Sequence, residues 1–320
     1  MFSHKSSRKQ PMAFAAVIWL CLIGAAAVFA QETASKSKTP AERPERKWHW
    51  KTGDEVFQLV TVSKKPTFKV QGLPFESKIR YKLLSRLTMR VSPFDNSLTI
   101  KQKVETTKLE EADELSEALL AKMLKDLTGK TITIRIDSQG DVTRIEGVPE
   151  PQAAAIGNNL DVRGVVLSSL IDRDGWKELA KATLFTPPEP LTKDAAWEEP
   201  VSHGWGPLGG WQGRSAYKSA EESEGLQTFS YVLHLRYQPP DRQDHTLPFK
   251  IADPMFRTKK AQGTLKFDLH KGRLSSMEET FHVAGQMTIQ IAGQNLPLVL
   301  EEEQQFQLEL FDKKPPPDQR

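Results

Sequence analysis

The chain has 320 residues, with 44 Lys and Arg against 41 Asp and Glu, a formal charge of +3. Lys5, Arg8 and Lys9 carry that excess and no acid precedes Glu32, so the remainder is balanced; a strongly basic nucleic-acid binder is excluded. The single cysteine, Cys21, lies in the same stretch, which removes disulfides, zinc–thiolate sites and a cysteine nucleophile from everything beyond it.

Residues 1–10 are polar and basic, and Met12–Ala30 is uncharged and mostly apolar. Val28 and Ala30 precede Gln31 at the small-residue positions a signal peptidase accepts, so 1–30 reads as a signal peptide cleaved at about Ala30. The protein is then exported, to the periplasm or the exterior. The rival is a retained N-terminal membrane anchor. Cys21 follows bulky Leu20, which argues against lipidation. No other stretch is long and apolar enough to span a bilayer, so membrane contact is expected only through this segment. Residues 31–47 are polar with two prolines and read as a disordered spacer, and 313–320 as a disordered tail.

Between them, 48–312 reads as one α+β domain. Ile79, Tyr81, Leu83, Leu87, Met89 and Val91 alternate with Arg80, Lys82, Arg86, Thr88 and Arg90, the signature of a long strand with one wet face. Pro93-Phe94-Asp95-Asn96 turns it into a second strand carrying Leu98, Ile100 and Val104. In Asp113–Thr128, Leu115, Leu119, Leu120, Met123, Leu124 and Leu127 form the stripe of an amphipathic helix, with Asp113 as N-cap and Gly129 as stop. Ile132, Ile134 and Ile136 alternate into the turn Asp137–Gly140, and Val142 and Ile145 follow. Val165–Ala182 reads as a second helical segment broken near Asp174-Gly175. Later strands carry Phe229, Tyr231, Leu233 and Leu235; Leu265 and Phe267; Met277, Phe281 and Val283; and finally Phe306, Leu308 and Leu310. The expected architecture is a large curved antiparallel sheet or open barrel with two covering helical segments. Its parts divide into similar halves, 48–150 and 192–312, joined by a helical connector.

Chemical motifs are sparse. Gly204, Gly206 and Gly209 spell G-x-G-x-x-G, but Pro207 interrupts it and no helical pattern follows, so a dinucleotide site is rejected. Trp197, Trp205 and Trp211 flank that loop. They could present flat apolar faces to a sugar or lipid, or pack the loop onto the sheet; the second reading is preferred. Asp172–Gly175 resembles a calcium-loop fragment without its remaining ligands, and reads as a turn. None of the histidines is paired at i+2, i+3 or i+4, so no helix-borne metal pair exists. Glu301-Glu302-Glu303 lies on a strand or edge and reads as a solvated, aggregation-blocking face. Arg80, Lys82, Arg86, Arg90, Lys101 and Lys103 form a basic stripe, read as an ordinary wet face with partners such as Glu105. No nucleophile elbow, zincin motif or P-loop occurs, and neither cofactor nor catalytic or metal-binding residue is assigned.

Several short signals occur together: Lys51–Glu55 opening into a strand, Asp137-Ser138-Gln139-Gly140-Asp141-Val142, Asp194-Ala195-Ala196-Trp197, and Gly263–Asp268 followed by Gly272-Arg273-Leu274. On these the chain resembles exported bacterial families without assigned function, of the kind abundant in planctomycetes. The resemblance implies no site residues. In architecture alone, long antiparallel strands with covering helices resemble periplasmic lipoprotein or lipid carriers. The expected function is a non-catalytic binding or carrier module for an apolar or amphiphilic ligand such as a lipid. Trp197, Trp205, Trp211, Tyr81 and Tyr231 are its candidate contacts. The alternative is a structural or protein-interaction component of the cell envelope, with an envelope protein as partner.

Overall fold

Period-two burial makes the strands, interrupted at Leu84-Ser85, where a register shift buries both neighbours. Along Ile79–Val91 the inward positions Ile79, Tyr81, Leu83, Leu87 and Met89 are buried, while Arg80, Thr88 and Arg90 are exposed. The computed structural model describes residues 48–70, 72–148, 173–189, 191, 194–205, 208–240, 250–291 and 293–316. Its first strands are β1 (Glu55–Val70), β2 (Leu73–Glu76), β3 (Ile79–Val91) and β4 (Leu98–Glu111). Helix α1 (Glu114–Leu127) follows, then β5 (Thr131–Ile136) and β6 (Val142–Glu146). Helix α2 (Arg173–Thr183) precedes β7 (Ala196–Gly204), β8 (Gly210–Ser223) and β9 (Leu226–Gln238). The chain closes with β10 (Lys250–Asp268), β11 (Arg273–Ile291) and β12 (Gln294–Phe311).

All twelve strands belong to one antiparallel sheet, ordered β6-β5-β4-β3-β1-β12-β11-β10-β9-β8-β7, with β2 paired to β1. The first and last strands therefore meet in the middle, with Val60 opposite Leu308 and Val62 opposite Phe306. The sheet is open and curved: β6 and β7 are not paired with each other. The curvature brings distant strands into a shared core, in which Ile100 and Ile134 belong to the same cluster as Phe229 and Leu265.

Both helices cover the concave face. Asp113 caps α1, its Oδ1 accepting the Ser116 N–H at 3.1 Å, and Gly129 stops it at φ +82°, where a side chain is disfavoured. Leu120, Leu124 and Leu127 then pack with Val104 and Ile132. On α2 the spacing of Trp176, Leu179, Ala180 and Thr183 makes one buried stripe. Asp174 and Gly175 lie in the first turn of α2 rather than in a turn outside it. Residues 165–172 of the expected segment lie outside the described residues, as do 1–47 and 317–320.

Glu301–Glu303 sit on a strand, the central β12, and the solvated face expected of them does not hold for Glu302. Alternation turns Glu302 into the concave core, where it is 1 % exposed, and leaves Glu301 and Glu303 on the opposite face. β10 pairs with β9 only from Gln262 onward, so the sheet splits there. Trp205, Trp211, Tyr237 and Phe256 fill the split, with Trp205 5.0 Å from Phe256 and 5.7 Å from Trp211. The unpaired reach of β10 carries a register shift at Asp253-Pro254 and the cations Lys259 and Lys260, features that discourage edge-to-edge pairing.

Candidate functional site

The concave face is apolar at both ends and polar across its middle. One apolar zone gathers around Tyr81, Leu83, Phe229 and Leu308, the other around Trp211, Phe281, Val283 and Leu300. Between them, positions in the apolar phase of their strands carry Lys64 on β1, Glu302 on β12 and Glu279 on β11. Lys64 and Glu302 form an ion pair at 3.4 Å, both side chains nearly inaccessible, and Glu302 Oε2 has no hydrogen-bond partner among the described residues. A buried charge retained with one oxygen unsatisfied is costly, so its position demands an account.

Glu279 accepts a hydrogen bond from the Tyr231 hydroxyl at 2.8 Å. Burial pushes its carboxyl above the ordinary carboxylate range, although His203 and Tyr231 pull the other way. His203 ends β7 and packs its ring on Phe281 at 5.0 Å, with Nδ1 2.6 Å from Glu178 of α2. Burial works to lower the His203 pKa, but the charge and hydrogen bond of Glu178, with Glu279 behind, outweigh it and raise the value. The other oxygen of Glu178 accepts the Gly204 N–H at 2.5 Å, so one carboxylate ties α2 to β7 twice. At the opposite edge, the Arg173 guanidinium donates to the Ile145 carbonyl of β6 at 3.1 Å. Helix α2 thus bridges the two free edges of the sheet.

A second polar line runs deeper. Gln102 on β4 donates to Gln58 on β1 at 2.7 Å, Gln58 donates to Thr183 of α2 at 2.6 Å, and Thr183 donates to the Leu179 carbonyl at 2.7 Å. Every member is buried and partnered, which anchors the end of α2 in one register. Beside the His203–Glu178 pair a cleft of about 350 Å³ opens to solvent, walled by Lys177, Glu178 and Lys181 on α2 and by His203, Gln212 and Gln238 on the strands.

The five aromatic residues expected to meet a ligand are all on the sheet. Trp205 and Trp211 are packed into the split between β9 and β10, 3 % and 1 % exposed. Trp197 is half-buried and stacks on Tyr217 at 4.9 Å, under Phe185. Tyr231 joins the polar band through Glu279, and Tyr81 lies in the apolar zone, 1 % exposed. Burial pushes the Tyr217 hydroxyl up to about 12. The sequence reading did not place Lys64, Gln58, Glu178, Glu279 or Glu302 in a site. A polar residue in the apolar phase of a strand marks Lys64, Gln58, Glu279 and Glu302, and nothing local marks Glu178.

Among the described residues, no group of three or more His, Cys, Asp or Glu side chains is placed to hold a metal ion, and no helix is long and apolar enough to cross a membrane. The basic stripe divides. Arg80 and Lys82 pair with Glu110 at 3.0 and 3.1 Å, and Arg86 and Lys103 pair with Glu105 at 3.3 and 3.9 Å.

No protein-family model matches the chain, and no curated protein matches it either. Among solved structures, lipovitellin, studied for its lipid–protein interactions, is similar at 10 % identity with a TM-score of 0.40, over 84 % of this chain and 26 % of that one. A DUF1329 family protein from Desulfovibrio piger is similar at 10 % identity with a TM-score of 0.14, over 78 % of this chain and 84 % of that one. This chain therefore spans about a quarter of the lipovitellin chain it matches.

Proposed function

We propose that the protein is an exported, non-catalytic binding module for an amphiphilic ligand, held between the concave face of the sheet and α2. The observation that carries this reading is the charged band of Lys64, Glu302, Glu279 and His203 inside an otherwise apolar concave face. A fully apolar ligand gives such a band no role, whereas a ligand with a polar head and an apolar tail matches both parts. The cleft beside His203 takes the head, with Lys177 and Lys181 at its rim. Helix α2 is the element that yields, since it is short and seats a single stripe of side chains, Trp176, Leu179, Ala180 and Thr183, on the sheet. The acid and base groups at the cleft are engaged on each other and on β7, which supports binding over catalysis.

Native mass spectrometry of the exported protein, purified gently from its host, tests this. The expected result is a co-purifying amphiphile that is lost on solvent extraction and restored on adding it back. A clean apo mass, repeated under mild conditions, overturns the reading. In that case the alternative gains, an interaction component of the envelope. It is favoured by how completely Tyr81, Phe229 and Leu308 are already packed, and cross-linking in the envelope would find the partner.

A further inference from the structure

The turn between β3 and β4 holds Phe94 97 % exposed, far more than any other large apolar side chain among the described residues. This is not a slack loop. Ser92 N–H donates to the Ser97 carbonyl at 2.8 Å, Asp95 Oδ1 accepts from Ser97 N–H at 3.2 Å and from Ser97 Oγ at 2.8 Å, and Asn96 adopts φ +51°. The turn's own hydrogen bonds therefore hold the ring clear of the domain.

Behind the ring lies the unpaired end of the basic stripe. Arg90 of β3 is opposite Thr99 of β4, Thr99 is opposite Arg135 of β5, and Arg135 is opposite Arg144 of β6. Lys101 lies on the same face, one pair of residues further from the turn. Among the described residues no carboxylate pairs with Arg90, Lys101 or Arg135, whereas the cations at the other end of the stripe are paired, and Arg144 pairs with Glu146. Two acids near the tip are engaged in their own turns: Asp95 as above, and Asp137, whose Oδ1 accepts from the N–H groups of Gln139 and Asp141.

The path of the chain adds an independent observation. Trp48 donates its indole N–H to the Asn96 carbonyl of this same turn at 2.7 Å. The start of the described chain is thereby fastened to the turn that carries Phe94.

We propose that this tip, Phe94 with Arg90, Lys101 and Arg135, is a peripheral docking surface for an anionic lipid bilayer. The ring inserts at the headgroup level and the cations meet lipid phosphates. It is a membrane contact beyond the export signal, and it is distinct from the cleft beside His203.

The test uses the full chain with Cys21→Ser, carrying an environment-sensitive fluorophore on Ser138→Cys in the neighbouring turn. Vesicles of phosphatidylglycerol and phosphatidylcholine are compared with phosphatidylcholine alone. The expected result is a blue shift on the anionic vesicles only, weakened by salt. Arg90→Glu with Arg135→Glu should reduce the apparent affinity about tenfold or more, and Phe94→Ser several-fold, with unchanged melting temperatures. The Arg90→Glu/Arg135→Glu and Phe94→Ser variants leave the N-terminal segment intact, so a shift driven by that segment is unchanged in them, and that result also overturns the proposal. No shift on anionic vesicles, or equal shifts on both kinds, overturns the proposal. So does an equal shift with a soluble polyanion that Phe94→Ser leaves intact, which would identify a polyanion site. Ligand loss at the cleft leaves this outcome untouched, and the converse also holds.

Discussion

Gln58 shows how much one side chain can hold in this protein. It links Gln102 on β4 to Thr183 on α2, across a region where every group is buried. Gln58→Leu removes both bonds and leaves a buried amide and a hydroxyl to find new partners. The expected cost is about 2–6 kcal/mol, from roughly 1–3 kcal/mol for each of the two buried groups. Urea denaturation measures it as a lower midpoint with an unchanged slope. His203 and Glu279 set a pH dependence whose sign follows from their shifts. Both have folded values raised above their ordinary 6.5 and 4.5. The stability each lends is complete below the ordinary value and is lost as pH rises through the folded one. Thermal stability should therefore fall as pH is raised from about 5 to 8, an interval set by those two ordinary values. Glu279→Gln keeps an acceptor for Tyr231 while removing the charge, and should flatten the profile. A profile that rises across this interval, or one that Glu279→Gln leaves unaltered, would show that the polar band is not buried as described.

At the level of elements, the band depends on room made by glycine. A Cβ on Gly263 of β10 would lie 2.5 Å from the Tyr231 ring and hydroxyl and 2.4 Å from the Glu278 carbonyl. Gly263→Ala should displace Tyr231, break its bond to Glu279, and cost about 1–3 kcal/mol as an overpacked site. Tyr231 absorbance titration reads the same change, because the hydroxyl now held well above its ordinary 10.0 should move back toward it. Helix α2 owes its place less to its own sequence than to its partners. It spans 11 residues, short for an isolated helix, and is held by Trp176, Leu179 and Ala180 together with the Glu178 and Arg173 contacts to β7 and β6. This is the element whose displacement the proposed function requires.

On the scale of the whole molecule, the meeting of β1 and β12 is decisive. Removing the last strand of a simple meander would trim an edge. Here it would cut the sheet in half, because among the described residues β12 alone joins β1 to β11. A chain ending at Gly293 should therefore fail to show one cooperative unfolding transition, and calorimetry would reveal this. An otherwise normal transition would contradict the strand order. Such pairing between chain ends also implies slow folding, since the central ladder closes last in loop length.

Much of this was legible in the residues themselves. Alternation along Ile79–Val91 and Leu98–Val104, and the capped stripe of Asp113–Thr128, are local signals, so strands and α1 follow from sequence with bounds close to those observed. The antiparallel, curved sheet with covering helices follows too, because one wet and one apolar face per strand admits few other solutions. The site was not legible. Glu302 looks like a solvated acid until β12 is known to be central and Val283 and Pro66 are known to flank it. Glu178 gains meaning only when α2 lands beside the end of β7. Strand order, and with it the partner of every buried charge, is set by contacts between residues far apart in the chain, and no local pattern encodes them. Sequence by itself determined the period, the wet face and the caps; only the tertiary structure decided which polar groups would be drawn out of water together, because that depends on which strands become neighbours.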